Sequence, residues 1–198
     1  MSKHILSLLC LSALCLLPAS AQTVPVGSGR TSVTLSSGFL TALTTLQVRP
    51  GVLGQGRLVG AVASFPITQG SVDATNARGE IFHTGGLSLE AGTTRVQLLN
   101  FTIETTHNVP VLTGLVVVNN AVVGRLPLFA LRLPTNLTLP LAPRGGALVE
   151  LNNVGVELSR DAAEALNGVF RVTAFTGGFS IGTASVRALL DVDAIPAN

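Results

Sequence analysis

The chain has 198 residues, a formal net charge of +2, only 11% charged residues and a high mean hydropathy of +0.57. Its twelve basic residues are one lysine and scattered arginines, and there is no Tyr or Trp to interleave with them. This distribution argues against binding of nucleic acid through phosphate neutralisation. The low charge fits either a dense β core with a Thr, Ser and Asn polar face, or a domain that lies against other envelope components.

The first 21 residues have the three zones of a secretory signal peptide. Lys3 supplies a positive charge, residues 5–17 are apolar, and residues 19–21 form the small-x-small pattern that a signal peptidase accepts. The apolar run is shorter than the roughly 20 residues needed to span a bilayer, which disfavours a retained membrane anchor. We predict cleavage after Ala21, a secreted or periplasmic (cell-envelope) location, and no transmembrane segment after signal cleavage.

Both cysteines, Cys10 and Cys15, lie in this segment. Each follows a leucine, whereas a lipidated cysteine normally follows a small residue, so a lipoprotein anchor is disfavoured. The mature chain, about 177 residues after removal of the first 21, would then have no disulfide, thiolate nucleophile or Cys-ligated metal. A chain of that length can bury its own core without disulfides.

Beyond residue 22, short apolar and β-branched runs with two-residue alternation predict a mainly β, antiparallel protein. In residues 95–104 the apolar phase slips by one residue, which predicts a β-bulge near Leu98–Leu99. Asn119 and Asn120 tolerate positive φ and predict a tight hairpin turn. A transmembrane barrel is disfavoured because the aromatic girdles that it requires are missing. The predicted strands are residues 58–65, Val72, 80–83, 87–89, 95–104, 115–118, 121–125, 125–133, 137–141, 147–151, 154–158, 171–175 and 185–192.

Two short helices are predicted. Residues 159–168 have a capping Ser159, early acids, an Ala-rich centre and Gly168 as a stop signal. Residues 37–46, capped by Ser36 or Ser37, form a weaker candidate. In both places a Val-x-Leu-Ser segment precedes the helix and an Ala-Leu pair follows at the same spacing.

A Phe-x-Ile segment also occurs twice, at residues 65–67 and 179–181. Together with the two helix contexts it suggests an internal duplication, although chance matching of β-rich sequence is the alternative. A duplication would give a pseudo-symmetric β-sandwich in which each helix closes one end of the core.

Two glycine-rich segments resemble functional motifs. Residues 178–182 match G-x-S-x-G, but a nucleophile elbow needs a following helix and a later His, whereas the next residues are strand-like and no His follows His107. Residues 54–60 resemble a phosphate-binding loop without its glycine spacing or its helix. We expect a bend and a loop, and no hydrolase chemistry.

The mature chain has two histidines, His83 and His107, and their spacing brings no carboxylate to them as a metal site would require. His83 ends an alternating strand beside a Gly-Gly pair, where a turn residue is the ordinary interpretation. His107 lies in a polar loop and is expected to be exposed. Asp191 and Asp193 share a strand face near a terminus, which does not support paired-carboxylate catalysis.

Three segments resemble the HtaA-type domain, a family associated with haem transport in bacteria: residues 79–89, 95–103 and 158–170. The sequence is most similar to secreted single-domain bacterial members of that family, whose function is unassigned. The resemblance implies a β-sandwich with two short helices, and haem binding through a Tyr ligand supported by a His. This chain has no Tyr. His83 matches the family's turn His, so only the supporting residue carries over.

We therefore expect a signal peptide (1–21) and a single HtaA-like β-sandwich domain (22–198) with two short helices. The predicted function is that of a non-enzymatic exported cell-envelope or secreted protein that acts through an envelope protein or surface partner. The alternative is a carrier of haem or another apolar small molecule. No catalytic residue, metal ligand or resident cofactor is predicted, and His83 is the one ligand-pocket candidate.

Overall fold

The computed structural model describes residues 23–139, 141 and 148–191, so the predicted signal peptide lies outside the described residues. Within them the chain forms eleven strands and two helices. In chain order these are β1 (Thr23–Leu35), α1 (Ser37–Thr45), β2 (Arg49–Leu53), β3 (Arg57–Val59), β4 (Val62–Asp73), β5 (Arg78–His83), β6 (Gly86–Ala91), β7 (Thr94–Glu104), β8 (Val111–Val118), β9 (Ala121–Arg132), β10 (Leu148–Leu158), α2 (Arg160–Phe170) and β11 (Ser180–Leu190).

The sheet closes into a barrel, and the predicted β-sandwich is wrong in this respect. One antiparallel sheet runs through β7-β5-β4-β1-β11-β10-β9-β8. Pairing of β7 with β8, from Val96 opposite Val118 to Glu104 opposite Val111, joins the two ends of this path. Alternation buries one face of a strand in a sandwich and in a barrel alike, so it could not distinguish the two. The mainly β, antiparallel architecture with two short helices is confirmed.

Strand β7 has three partners because a bulge divides it. Residues 94–99 pair with β6 and residues 102–104 pair with β5, while β8 pairs with both halves from the other side. The register with β8 shifts between Leu99 and Thr102, where Asn100 has a φ of 50°. The bulge predicted near Leu98–Leu99 is therefore confirmed, with its centre at Asn100.

The strands on this side continue beyond the barrel. Strand β9 pairs with β10 only from Phe129 to Arg132, so its first residues project past the end of β10. They pair there with the end of β8, and the ladder continues through β7 and β6 to β2. We call this part the sheet extension, which comprises residues 49–53, 86–91, 94–99, 115–118 and 121–128.

The predicted turn at Asn119 and Asn120 is confirmed at the tip of the sheet extension. Both residues have positive φ, 48° and 70°, and Val118 lies opposite Ala121. The side chain of Asn119 also accepts a hydrogen bond from the Arg95 backbone N–H at 2.8 Å. The turn therefore connects β8 to β9 and ties their tip to the start of β7.

Both predicted helices form, and each begins at a serine cap. The Ser36 hydroxyl accepts from the Phe39 N–H at 3.1 Å, and the Ser159 hydroxyl accepts from the Ala162 N–H at 3.0 Å. Neither helix among the described residues is long and apolar enough to cross a membrane. The helices follow strands that run in the same direction, so both lie at one end of the barrel. The expectation that each helix closes a different end is wrong.

Two predicted strands are absent from the described residues. Helix α2 continues past the predicted stop at Gly168 to Phe170 and ends where Arg171 adopts a φ of 55°. The following segment, predicted as strand 171–175, is held instead by the Asn167 side chain, which bonds the backbone N–H and C=O of Phe175. The predicted strand at 137–141 is likewise not a strand at residues 137–139 and 141.

A strand followed by a serine-capped helix occurs twice in the structure, but the two Phe-x-Ile segments do not occupy matching places. Leu35 N–H donates to the Ala61 carbonyl, and Leu158 N–H donates to the Phe179 carbonyl. Ala61, rather than Phe65, therefore occupies the place that matches Phe179. The two Phe-x-Ile segments are out of register with each other.

We expect Ser159→Ala to lower the free energy of unfolding by about 1–2 kcal/mol, the usual loss for a helix N-cap. The same hydroxyl donates to the Pro127 carbonyl at 2.8 Å, so the variant also loses a link between α2 and β9. Urea unfolding followed by circular dichroism measures the change. Ser71→Ala, at an exposed strand position, is the control; equal losses in both variants would contradict the role of the cap.

Candidate ligand-binding site

His83 lies in the interior of the barrel and is 5% exposed. Its Nε2 is 2.7 Å from the Thr31 hydroxyl, and its Nδ1 is 3.2 Å from the Phe101 carbonyl oxygen. A carbonyl can only accept, so Nδ1 carries the proton and Nε2 accepts from Thr31. Both ring nitrogens of the neutral imidazole are therefore occupied.

Burial lowers the pKa of His83 from 6.5 to about 4, although the backbone carbonyls of Phe101 and Ile81 oppose this shift. The charged imidazolium would lose its hydration in an apolar interior, which is why the neutral form is favoured. His83 is thus neutral at physiological pH and forms part of the core. His83, the ligand-pocket candidate predicted from the sequence, therefore lies in the core of the barrel.

A small cavity of about 40 Å³ adjoins His83. Apart from His83 and Thr31 its walls are apolar, and they include Phe65 and Phe101, whose rings meet edge to face with centroids 5.0 Å apart. A cavity of this size holds little more than one water molecule. The space next to His83 is therefore too small for an organic ligand.

A cavity of about 190 Å³ lies at the helix end of the barrel. We call it the helix–sheet cleft. One wall is the inner face of α2, where Ala162, Ala165, Leu166 and Val169 recur at helical spacing. The opposite wall is the inner face of the sheet extension and the end of the barrel, with Pro50, Leu87, Leu89, Val96, Leu98, Val116, Val118, Val123, Leu126 and Leu128.

Each wall of the cleft follows from the local sequence. In the sheet extension, alternation turns Leu89, Val96 and Leu98 inward. The Ser159 cap sets the start of α2 and therefore which of its residues face the sheet. Val123, at the β8–β9 tip, lines the cleft and is still 56% exposed, so the cleft opens to solvent beside it.

The apolar interior continues from the cleft to the opposite end of the barrel. Leu35 and Phe129 line both the cleft and the cavity at His83, and Val33 and Val156 line both that cavity and a third one of about 80 Å³. The three cavities therefore form one apolar column, interrupted by side chains. His83 and Thr31 are its central polar pair.

The remaining sequence candidates lie elsewhere. His107 is exposed, with 63% of its side chain accessible, and its Nε2 is 3.6 Å from Glu104. The G-x-S-x-G segment turns into β11 and the glycine-rich segment at 54–60 turns into β3, as expected for a bend and a loop. Asp191 is exposed, and Asp193 lies outside the described residues.

No family model and no curated protein matches the chain significantly. The fold is identified by comparison with solved structures. The C-terminal domain of HtaA from Corynebacterium glutamicum aligns with a TM-score of 0.65 and 19% identity, over 84% of this chain and 99% of that one. The chain has the HtaA-type domain fold.

Two further structures support this assignment. The N-terminal domain of HtaA aligns with a TM-score of 0.60 and 10% identity, over 84% of this chain and 98% of that one. The heme binding protein HtaB of the same organism aligns with a TM-score of 0.57 and 11% identity, over 86% and 96%. The HtaA-type fold implied by the sequence resemblance is confirmed, and His83 lies in it at the break between β5 and β6.

The helix–sheet cleft was not predictable from the sequence. Its lining residues come from both helices and many strands, and all of them except Asp161 individually resemble ordinary apolar residues of a core. The one local signal is the apolar stripe of α2, which predicts a buried face without showing that this face borders a void.

The low pKa of His83 makes stability depend on pH. The pKa of His83 is 6.5 in the unfolded state and about 4 in the folded state. The neutral imidazole therefore contributes its full stability above pH 6.5, and this contribution is lost as pH falls from 6.5 to 4. The total loss in the free energy of unfolding is about 3 kcal/mol. We expect His83→Gln to show a correspondingly smaller loss of unfolding free energy between pH 7 and pH 4 in urea titrations. His107→Gln is the matched control, and a wild-type slope in His83→Gln would contradict the assignment.

Proposed function

We propose that this protein is a non-enzymatic, exported carrier that binds an apolar small molecule in the helix–sheet cleft. The observation that carries the proposal is the cleft itself: a solvent-open cavity of about 190 Å³ with almost entirely apolar walls. Close packing leaves few voids in protein interiors, and an apolar cavity of roughly 150 Å³ is enough to bind benzene. A ring or short hydrocarbon segment would fill the cleft, and the remainder of the molecule would extend through the mouth at Val123.

The structural neighbours support a carrier more than a purely structural envelope role. HtaB, which shares this fold, is a heme binding protein. The interaction with an envelope protein or surface remains a prediction, as does export. An exported carrier would meet apolar molecules outside the cytoplasm, where their low solubility makes binding useful.

Haem does not fit the residues of this chain. Iron in haem proteins is held by His, Cys, Met or Tyr, and none of these types lines the described cleft. His83 has both ring nitrogens engaged, and no buried side-chain N or O of the described residues lacks a hydrogen-bond partner. We therefore assign no role to haem iron in this protein.

Filling the cleft should weaken binding. Ala165 is exposed yet lines the cleft, so Ala165→Phe would place a ring in it without burying new volume in the core. We expect affinity for the neutral fluorophore N-phenyl-1-naphthylamine to fall at least about tenfold, equivalent to 1.4 kcal/mol. Fluorescence titration of the mature protein measures this.

Glu164→Phe adds the same ring one residue earlier, at an exposed position outside the cleft lining. It should leave affinity within about twofold of wild type, a change of under 0.5 kcal/mol. Absence of fluorophore binding to the wild type, or equal losses in both variants, would contradict the proposed function.

When haemin is added to the mature protein, we expect its Soret band not to shift in the way that ligation by a protein side chain would cause. The His83→Gln variant should give the same spectrum as the wild type. Absorption spectroscopy measures both. A ligated spectrum that disappears in His83→Gln would show that the barrel opens to expose this imidazole and would restore the haem-carrier interpretation.

A further inference from the structure

The helix–sheet cleft has a single charged residue in its described lining, Asp161. It occupies the first turn of α2, next to the cleft residue Ala162. Its position near the positive end of the helix is favourable for a carboxylate. The cap is already provided by Ser159, so the Asp161 carboxylate is not needed for that purpose.

The arginines of the sheet extension belong to its opposite face. Successive residues of a strand point to opposite sides of a sheet. Val96 lines the cleft, so Arg95 faces away, and it pairs with Glu90 at 3.1 Å. Arg125 does not line the cleft, and its guanidinium donates instead to the Thr102 and Thr113 hydroxyls and to the Asn100 carbonyl.

The remaining nearby cations follow the same pattern. Pro50 and Leu58 line the cleft, so the preceding residues, Arg49 and Arg57, point to the other side of their strands. Arg160 precedes Asp161 but is exposed and does not line the cleft. An anionic group entering with an apolar ligand would therefore meet a lining whose one charged residue among the described ones is the acidic Asp161.

We propose that the helix–sheet cleft selects neutral and cationic apolar molecules, such as alkyl amines and alcohols, and discriminates against carboxylates through Asp161. This inference rests on the proposed function and specifies the ligand class of the same site. An ammonium group beside Asp161 gains a charge-assisted contact, whereas a carboxylate there is repelled. The same repulsion would act on any apolar ligand that carries acidic groups.

Three probes with one hydrocarbon chain separate charge from apolar contact: octylamine, octanol and octanoate at pH 7. Their affinities are measured by displacement of N-phenyl-1-naphthylamine from the mature protein at low ionic strength. We expect octylamine to bind at least about tenfold more tightly than octanoate, with octanol between them. Added salt should reduce the ratio, because Asp161 is exposed to solvent.

Asp161→Asn should bring the octylamine-to-octanoate ratio to within about threefold while leaving octanol affinity unchanged. Glu164→Gln removes a carboxylate from the same helix outside the cleft lining and should leave the ratio at its wild-type value. Thermal unfolding by circular dichroism establishes that both variants are folded before binding is compared.

Each outcome decides between the two proposals. Equal affinities for the three probes, or a wild-type ratio in Asp161→Asn, would overturn the charge selection while leaving the apolar carrier in place. Tighter binding of octanoate than of octylamine would also overturn it. Failure of the fluorophore itself to bind would overturn the proposed function and the selectivity together.

Discussion

Strand β7 is hydrogen-bonded to β8 on one side and, on the other, first to β6 and then to β5. The exchange of partners takes place at the bulge, where positive φ at Asn100 changes the face on which successive side chains lie. With β5 as neighbour the strand completes the barrel, and with β6 as neighbour it becomes part of the sheet extension. The closure of the barrel and the sheet wall of the helix–sheet cleft therefore both depend on the bulge in β7.

Closure of the barrel also determines what His83 can do. An imidazole at a strand end beside glycines would be a solvent-facing turn residue if the sheet were open there. In the closed barrel it is desolvated, its pKa is lowered, and its two nitrogens are satisfied by Thr31 and by the Phe101 carbonyl, just after the bulge in β7. The pair of His83 and Thr31 lies at the centre of the apolar column, and no buried side-chain N or O of the described residues is left unpaired there.

Features encoded by a few adjacent residues were predictable from the sequence. Ser36 and Ser159 cap their helices, and Asn119–Asn120 forms its turn, because the hydrogen bonds involved are local. The choice between sandwich and barrel was not predictable, since it depends on the long-range pairing of β7 with β8 and the alternation is identical in both. The segment at 171–175 was mispredicted because the Asn167 side chain occupies the backbone groups of Phe175. The cleft was missed because a void depends on how distant elements pack, not on the identity of any one residue.

An apolar cleft and an iron site differ in the residues that they require. The cleft lies where α2 faces the part of the sheet that extends beyond the barrel, and its walls are shared among many apolar residues. Ligation of iron needs one side chain of a particular type at one point, and a single substitution removes it. At 10–19% identity to HtaA and HtaB domains, this chain shares their backbone and has no Tyr anywhere in its length. The proposed carrier function therefore depends on the cleft of this chain and not on an iron ligand, and the proposed selection among ligands depends on Asp161, the one charged residue of the described lining.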